Sequence, residues 1–300
     1  MAKCLIGNSV ISIPVLTIAV AVVHNAKKNA VNNLKTIKEY YRPIQPTVSA
    51  NDNEISYQES KPNKEIEDFI YCFWQLKTLK PLNKDYNYRV VSDGCIDIYF
   101  DHKQPTENFI MGFSRKFVQF PIGKEFDYIG IRFLPSAFPH LFGINARILS
   151  NQSQELNKVL PNFSEWINSQ ITTTDSFENI VKIMNEKIIE FSKNQDIHYD
   201  HRFLDSLNLI FQKNGYLNTE KDLNTGLSSR QLRRIFNFYI GTTAKSFSNV
   251  VRFQHILNAK PSKQSLKENK LYFDVGFFDQ AHFVKNFKTY YGVTPSEAFH

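Results

Sequence analysis

Apolar residues recur along this chain with two different periods, and the change of period divides it. Between Ile66 and Arg132 they come in short runs or alternate with polar positions. Residues 69–74 form a buried run, residues 89–91 end at the turn Ser92-Asp93-Gly94, and residues 95–100 alternate apolar with acidic side chains. Residues 109–113, 117–120 and 128–133 add further short strands. Strands this short, punctuated by Gly, Pro and Asp, predict a small barrel or sandwich. After Pro135 the period lengthens, and residues 136–142, 153–159, 163–171 and 176–191 read as helices. In the last of these, Phe177, Ile180, Val181, Met184, Ile188 and Phe191 make one apolar stripe, which suits core or a dimer seam and no cofactor. Residues 36–60 are polar, carry Pro43 and Pro46, and read as a linker or irregular entry; everything beyond His201 reads as helix.

The last hundred residues write one pattern twice. Sliding by 51 positions sets Ser228 on Asp279, Leu232 on Phe283, Phe236 on Phe287, Tyr239 on Tyr290, Gly241 on Gly292 and Thr243 on Thr294. Each copy has a turn glycine (Gly226, Gly276), a capping residue, a short helix with an apolar i, i+4 pair, and a stop glycine, which is how two helix-turn-helix units are written. Ser228 with Gln231 makes a capping-box pattern, and Asp279 is an N-cap that sets negative charge at the positive end of the helix dipole. If Leu232 with Phe236, and Phe283 with Phe287, hold each helix on its module, the residues between them face outward.

Those outward residues carry the candidate chemistry. In the first helix they are Ser229, Arg230, Arg233 and Arg234, with Gln231 and Asn237 beside them; in the second they are Gln280, Ala281, His282, Lys285 and Lys288, with Asn286 at the margin. Arginine can grip guanine O6 and N7 with two hydrogen bonds, and glutamine can do the same for adenine. Thr243, Lys245 and Lys288 are expected to hold phosphates. Between the modules, residues 244–260 read as one helix with Phe247, Val250, Val251, Phe253, Ile256 and Leu257 as its apolar positions. Seventeen residues of helix span roughly 25 Å. With the half-widths of the modules added, the recognition helices would stand near one DNA turn apart, roughly 34 Å.

Charge sharpens this reading. Residues 201–300 hold 14 Lys or Arg against 7 Asp or Glu, and residues 1–200 hold 22 against 22, so the whole net +7 lies where the repeat is. A basic segment attached to a neutral one points to a polyanion partner for the C-terminal part alone. The hydrophobic content of 42% and charge of 22% suit a folded rather than a disordered chain,. Cys4, Cys72 and Cys95 have no C-x-x-C spacing, which fits a reducing compartment, and Cys72 and Cys95 lie in apolar runs as expected core residues,.

Residues 214–299 resemble the AraC-type transcription regulators. The most specific parts are Val275-Gly276-Phe277-Phe278-Asp279-Gln280-Ala281-His282-Phe283, then Phe287-Lys288 and Gly292-Val293-Thr294-Pro295-Ser296; the first unit is similar through Gly226-Leu227-Ser228-Ser229-Arg230-Gln231-Leu232-Arg233-Arg234-Ile235-Phe236. The resemblance implies two helix-turn-helix units, joined by one long helix, that read double-stranded promoter DNA and act on the transcription machinery as an activator or repressor. Residues 40–160 resemble the sensor half of one AraC-type branch, through Tyr71-Cys72-Phe73-Trp74, Asp93-Gly94-Cys95-Ile96-Asp97-Ile98, Gly130-Ile131-Arg132-Phe133-Leu134-Pro135 and Pro139-His140-Leu141-Phe142-Gly143. That part is expected to sense an unidentified small-molecule effector or to form a homodimer. The chain departs from the family at residues 270–274, which replace the small, Ala-rich first helix expected of the second unit, and at residues 261–265, which interrupt the end of the linker.

The expected fold class is α+β: a small N-terminal β-barrel or sandwich with helices, then an all-α domain of two helix-turn-helix units joined by a long helix. The boundaries are 1–39 for a hydrophobic extension, 40–200 for the sensor or dimerisation domain and 201–300 for the DNA-binding domain. Residues 4–23 hold no charge and are long enough to span a bilayer, but Asn8, Ser9, Ser12, Pro14 and Thr17 weaken a span,. The favoured reading is a cytoplasmic protein with an upstream extension; the alternative is a membrane anchor that keeps the rest facing the cytoplasm. Two competing functions are a cupin-like metal-dependent enzyme and a non-specific architectural DNA-binding protein. The enzyme needs clustered ligands, and residues 60–145 offer only His102 in a polar turn and His140 at the start of an apolar helix. Asp93 and Asp97, four apart, read as turn and surface groups. No catalytic residue, metal or cofactor is expected.

Overall fold

The computed structural model describes residues 37–46, 53–194, 200–259 and 279–299. The uncharged segment 4–23, the departures at 261–265 and 270–274, and the second turn glycine, Gly276, lie outside them. The β-rich part holds eight strands: β1 Ile55–Ser60, β2 Ile70–Thr78, β3 Asn87–Val90, β4 Ile96–Asp101, β5 Gln104–Met111, β6 Val118–Pro121, β7 Asp127–Phe133 and β8 Ser153–Glu155. Six form an antiparallel sheet in the order β1-β2-β7-β4-β5-β8, and β3 pairs with β6 in a separate ribbon. The alternation in β4 sorts its side chains between the two faces. Ile96, Ile98 and Phe100 are buried in the core shared with the helices, while Asp97 and Tyr99 turn the other way,. On that second face Cys72, Trp74 and Leu76 of β2 meet Tyr88 of the β3–β6 ribbon, so β2 is covered on both sides and reads as a continuous apolar run,.

Trp74 depends on a glycine across the ladder. Gly130 pairs with Trp74 on one side and Tyr99 on the other. A Cβ added at Gly130 would lie 2.4 Å from the indole of Trp74. Gly130→Ala should therefore displace the indole and lower stability by about 1–3 kcal/mol; thermal unfolding measures the loss, and a shift in tryptophan emission its cause.

Five helices frame the rest of the first two-thirds and its junction with the C-terminal part. They are α1 Ala137–Phe142, α2 Pro161–Gln170, α3 Phe177–Asn194, α4 His201–Gln212 and α5 Ser229–Tyr239. Phe177, Ile180, Val181, Met184 and Ile188 of α3 are core, as their stripe predicts. Residues 153–159 are not the expected helix. Ser153–Glu155 pair with Met111–Phe109 at the open edge of β5, and a 3-10 turn over Leu156–Lys158 follows. Pro161 then stands at the start of α2, so the two helical patterns cannot fuse,. Inside the segment read as a linker, Ile55–Ser60 forms edge strand β1, whose single buried residue, Ile55, leaves no alternation to detect.

The C-terminal part continues with α6 Ala244–Ala259, α7 Gln280–Tyr291 and α8 Pro295–Ala298. The expected linker helix is α6, whose sixteen residues correspond to about 24 Å,. It is seated on the β-rich part through buried Gln254: its Oε1 accepts from Ile44 N at 2.9 Å, and its Nε2 donates to Ser92 O at 2.9 Å. Phe247 of α6 meets Phe113, and the Tyr41 ring lies 4.7 Å from that of Phe211 on α4. One apolar core thus runs across residue 200.

Candidate nucleic-acid interface

Local chemistry starts both candidate recognition helices where the sequence places them. At α5 the Ser228 and Gln231 side chains close a capping box: Gln231 N donates to Ser228 Oγ at 3.3 Å, and Ser228 N donates to Gln231 Oε1 at 3.0 Å. Gly226 precedes it at φ +81°, a turn conformation that L side chains rarely adopt,. At α7 Asp279 accepts from His282 N at 2.7 Å. That helix stops at Gly292, φ +100°, against the Phe117 ring,.

Burial then sorts the two faces. Phe236, Phe283 and Phe287 are buried and Leu232 is half-buried. Ser229, Arg230, Gln231, Arg233 and Arg234 on α5 are exposed, as are Gln280, His282, Lys285 and Lys288 on α7; Asn286 is half-buried. The side-chain oxygen of Gln231 is committed to the cap, which leaves its NH2 group as the part of the carboxamide able to reach another acceptor. Asn286 Nδ2 donates to His282 O at 2.9 Å. Thr243 and Lys245 are exposed at the start of α6, where Thr243 Oγ1 accepts from Ser246 N at 3.2 Å. One groove is lined by Lys245 and Arg252 of α6, His282 and Asn286 of α7, and the acidic Glu220 and Asp222.

Arg147 was not among the expected residues. It projects from a 3-10 turn of the β-rich part and donates from Nη1 to Asn237 Oδ1 at 2.6 Å, next to Arg233. Its exposure and spatial place beside α5 have no local sequence signal. Nearby, the His140 ring stacks on Tyr239 at 4.2 Å, Nδ1 lies 2.8 Å from Ser136 O, and burial lowers its pKa to about 4.

A second site lies inside the β-rich part, and there one expectation is overturned. Asp93 does stand in the turn, where its Oδ1 accepts from Cys95 N, but neither Asp93 nor Asp97 is a surface group. Both carboxylates converge on the guanidinium of Arg132, Asp97 Oδ2 at 2.9 Å from Nη2 and Asp93 Oδ2 at 3.6 Å from Nε. Asp97 and Arg132 are register partners on β4 and β7, which points both side chains to the same face. Trp74 Nε1 also donates to Asp97 at 3.1 Å, and Gln45 Nε2 and Cys95 N donate to Asp93. Burial pushes the Asp97 carboxyl up to about 6, with Arg132 pulling the other way and Asp93 adding to the rise. Asp97 opens onto a cavity of about 220 Å³ between the six-stranded sheet and the β3–β6 ribbon, walled by Trp74, Tyr88, Tyr99, Phe109, Phe120 and Tyr128 among others. The two candidate metal ligands are engaged elsewhere, His102 with Asp127 at 3.1 Å and His140 with Ser136. Among the described residues no three His, Cys, Asp or Glu side chains gather where they could hold a metal ion, and no helix is long and apolar enough to cross a membrane.

The fold and this surface define a two-part protein: a β-rich domain carrying a helical segment with an exposed basic helix at its surface. Residues 224–300 match the family model of a helix-turn-helix domain, and residues 58–155 match a domain of unknown function, DUF6597. The C-terminal segment is a helix-turn-helix domain of the AraC type, a DNA-binding module of transcription regulators. Comparison with curated protein sequences gives no match. Among solved structures the chain is similar to ToxT from Vibrio cholerae O395, at 15% identity and a TM-score of 0.35, over 83% of this chain and 98% of that one. An apo variant of ToxT from Vibrio cholerae strain SCE256 gives 14% identity and a TM-score of 0.37, over 83% and 97%. ToxT from strain O395 bound to (E)-4-(8-methylnaphthalen-1-yl)but-3-enoic acid gives 13% and 0.36, over 82% and 98%.

Proposed function

We propose that this protein is a sequence-specific transcription regulator, not an enzyme, that sets α5 and α7 into successive major grooves of promoter DNA. The observation that carries the reading is the pair of similarly capped helices, one presenting Arg230, Arg233 and Arg234 and the other His282, Lys285 and Lys288, all exposed. In this reading Ser229, Gln231, Gln280 and Asn286 complete the base contacts, and Lys288 holds a phosphate. Thr243 and Lys245 hold a phosphate at the start of α6, where backbone N–H groups and the helix dipole favour an anion. The 16 residues of α6 set the spacing of the two helices near one DNA turn,. Residues 201–300 act as the DNA-binding domain and residues 40–200 as a domain that senses an effector or pairs two chains. The protein works in the cytoplasm, or facing it if residues 4–23 anchor it to the membrane, and acts on the transcription machinery as an activator or a repressor.

Contacts across residue 200 support a sensing role for the first domain. Arg132 joins Asp97, at the cavity, to Asp93; the neighbouring Ser92 accepts from Gln254 of α6. A change at the cavity has short covalent and hydrogen-bonded access to the helix that spaces the readers.

Selection of bound sites from a random duplex library tests the reading. Two half-sites about 10 base pairs apart are expected; equal recovery of all sequences would replace it with architectural binding. Lys288→Ala should weaken every duplex alike and flatten the slope of log affinity against log salt by about one unit, measured by titration at several salt concentrations.

A further inference from the structure

The cavity in the β-rich domain has a chemistry that selects its occupant. At about 220 Å³ it is larger than an apolar cavity of roughly 150 Å³ that holds benzene,. It therefore admits one aromatic ring with a short side arm. Among the described residues Asp97 is the one formally charged residue lining it, and Arg132, its ion-pair partner, forms no part of the wall. An incoming anion would meet a carboxylate first.

Three features favour a positive charge there. The buried cluster holds two carboxylates against one guanidinium, so a negative charge is left over when Asp93 and Asp97 are ionised. Asp97 Oδ1 accepts only from Arg132 Nε, at 3.2 Å, while Oδ2 takes both Arg132 and Trp74; a carboxylate offers about four lone-pair sites, so Oδ1 has room for another donor,. The walls are rings whose faces carry negative potential, with Tyr99 5.5 Å from Phe109 and 6.3 Å from Trp74 between centroids,. Aromatic walls around an ammonium group contribute attraction that grows as water is excluded. Beyond the wall, Asp101 and Glu107 add negative charge on the Tyr128 side.

We propose that the cavity binds a compact organic cation, an ammonium group on an aromatic or branched apolar body, with Asp97 as its acceptor and the surrounding rings as its cage. This deepens, and rests on, the reading of the first domain as a sensor. The amine keeps its protons and no bond forms or breaks.

The test uses the full-length protein carrying Trp166→Phe, so that Trp74, the other of the chain's two tryptophans, reports alone. Benzylammonium and 2-phenylethylammonium are titrated beside benzyl alcohol, 2-phenylethanol and 3-phenylpropanoate, with calorimetry as a second readout. Each ammonium ion should bind at least about tenfold tighter than its alcohol, a difference of ~1.4 kcal/mol, and the carboxylate should not bind. Asp97→Asn should erase that preference. Because that change also strips a partner from Arg132, Phe120→Leu serves as the second variant: it removes one ring face and should weaken the ammonium ions several-fold while sparing the alcohols. Alcohols binding as tightly as the ammonium ions, a carboxylate binding best, or no ammonium binding at millimolar concentration would each overturn the proposal. DNA affinity with and without the saturating ammonium ion separates the two readings. Cation binding without any change in DNA affinity keeps the site and removes the sensor, whereas a DNA response to the alcohol or carboxylate alone keeps the sensor and removes the cation.

Discussion

Replacing Arg230, Arg233 and Arg234 together by alanine is expected to abolish discrimination between the selected site and random duplex. A bidentate arginine–guanine pair is worth about 1–3 kcal/mol of discrimination, so even one lost pair with two lost phosphate contacts leaves a clear deficit. If all three read bases, the loss is at least about 10²-fold, and the residual affinity falls to the non-specific level, typically 10³ or more below a specific site. The salt slope should also flatten, by up to about three units, as three cations leave the interface. Folding should survive. All three side chains are exposed, exposed substitutions usually stay within about 0.5 kcal/mol, and alanine is the best helix former. Circular dichroism and thermal unfolding check this on the same sample, and an unchanged footprint would end the assignment. Gln231 is unsuitable for this experiment. Its carboxamide closes the box with Ser228, so Gln231→Ala mixes a lost base contact with a lost cap.

The starts of the two capped helices α5 and α7 were legible because their determinants are local. Ser228 and Gln231 are three residues apart and cap whatever the rest of the chain does; the same holds for Asp279 and the N–H of His282. The strands of the central sheet were legible for a related reason, since β2, β4 and β7 carry strong apolar runs or alternation. Alternation, however, says only that a strand has two faces. It does not say that a second layer covers the polar-looking one. Asp97 reads as a surface group until the β3–β6 ribbon is seen to close over it, and that ribbon pairs residues about thirty positions apart. Arg132 gave no warning either, because an arginine after Gly130 and Ile131 is equally compatible with a strand end reaching solvent. Edge strands β1 and β8 failed as signals because one face of each meets water and neither shows a period over so few residues. What remained hidden in the sequence is therefore the cavity and its charge cluster, the part of the molecule built by long-range pairing.

That cluster gives the second large effect. Arg132→Met should lower stability by about 3–5 kcal/mol, the usual consequence of removing one partner of a buried pair. The methionine fills much of the space but leaves two carboxylates facing each other behind an aromatic wall. The pH dependence has a definite sign. Asp97 already holds its proton to about 6 because burial outweighs Arg132; without Arg132 it should hold it to a still higher pH. Its unfolded value is near 3.9, so the folded state binds the extra proton, and stability rises as pH falls through the folded value. The deficit of Arg132→Met should be largest above neutrality and shrink by about pH 5, as urea unfolding of both proteins at several pH values would measure. Adding Asp97→Leu should recover most of it, because Gln45 Nε2 and Cys95 N still serve Asp93. A small, pH-independent loss would mean that water reaches the carboxylates freely. The cavity would then hold no unscreened negative charge, and the argument for a cationic ligand would fall with the argument for a desolvated pair.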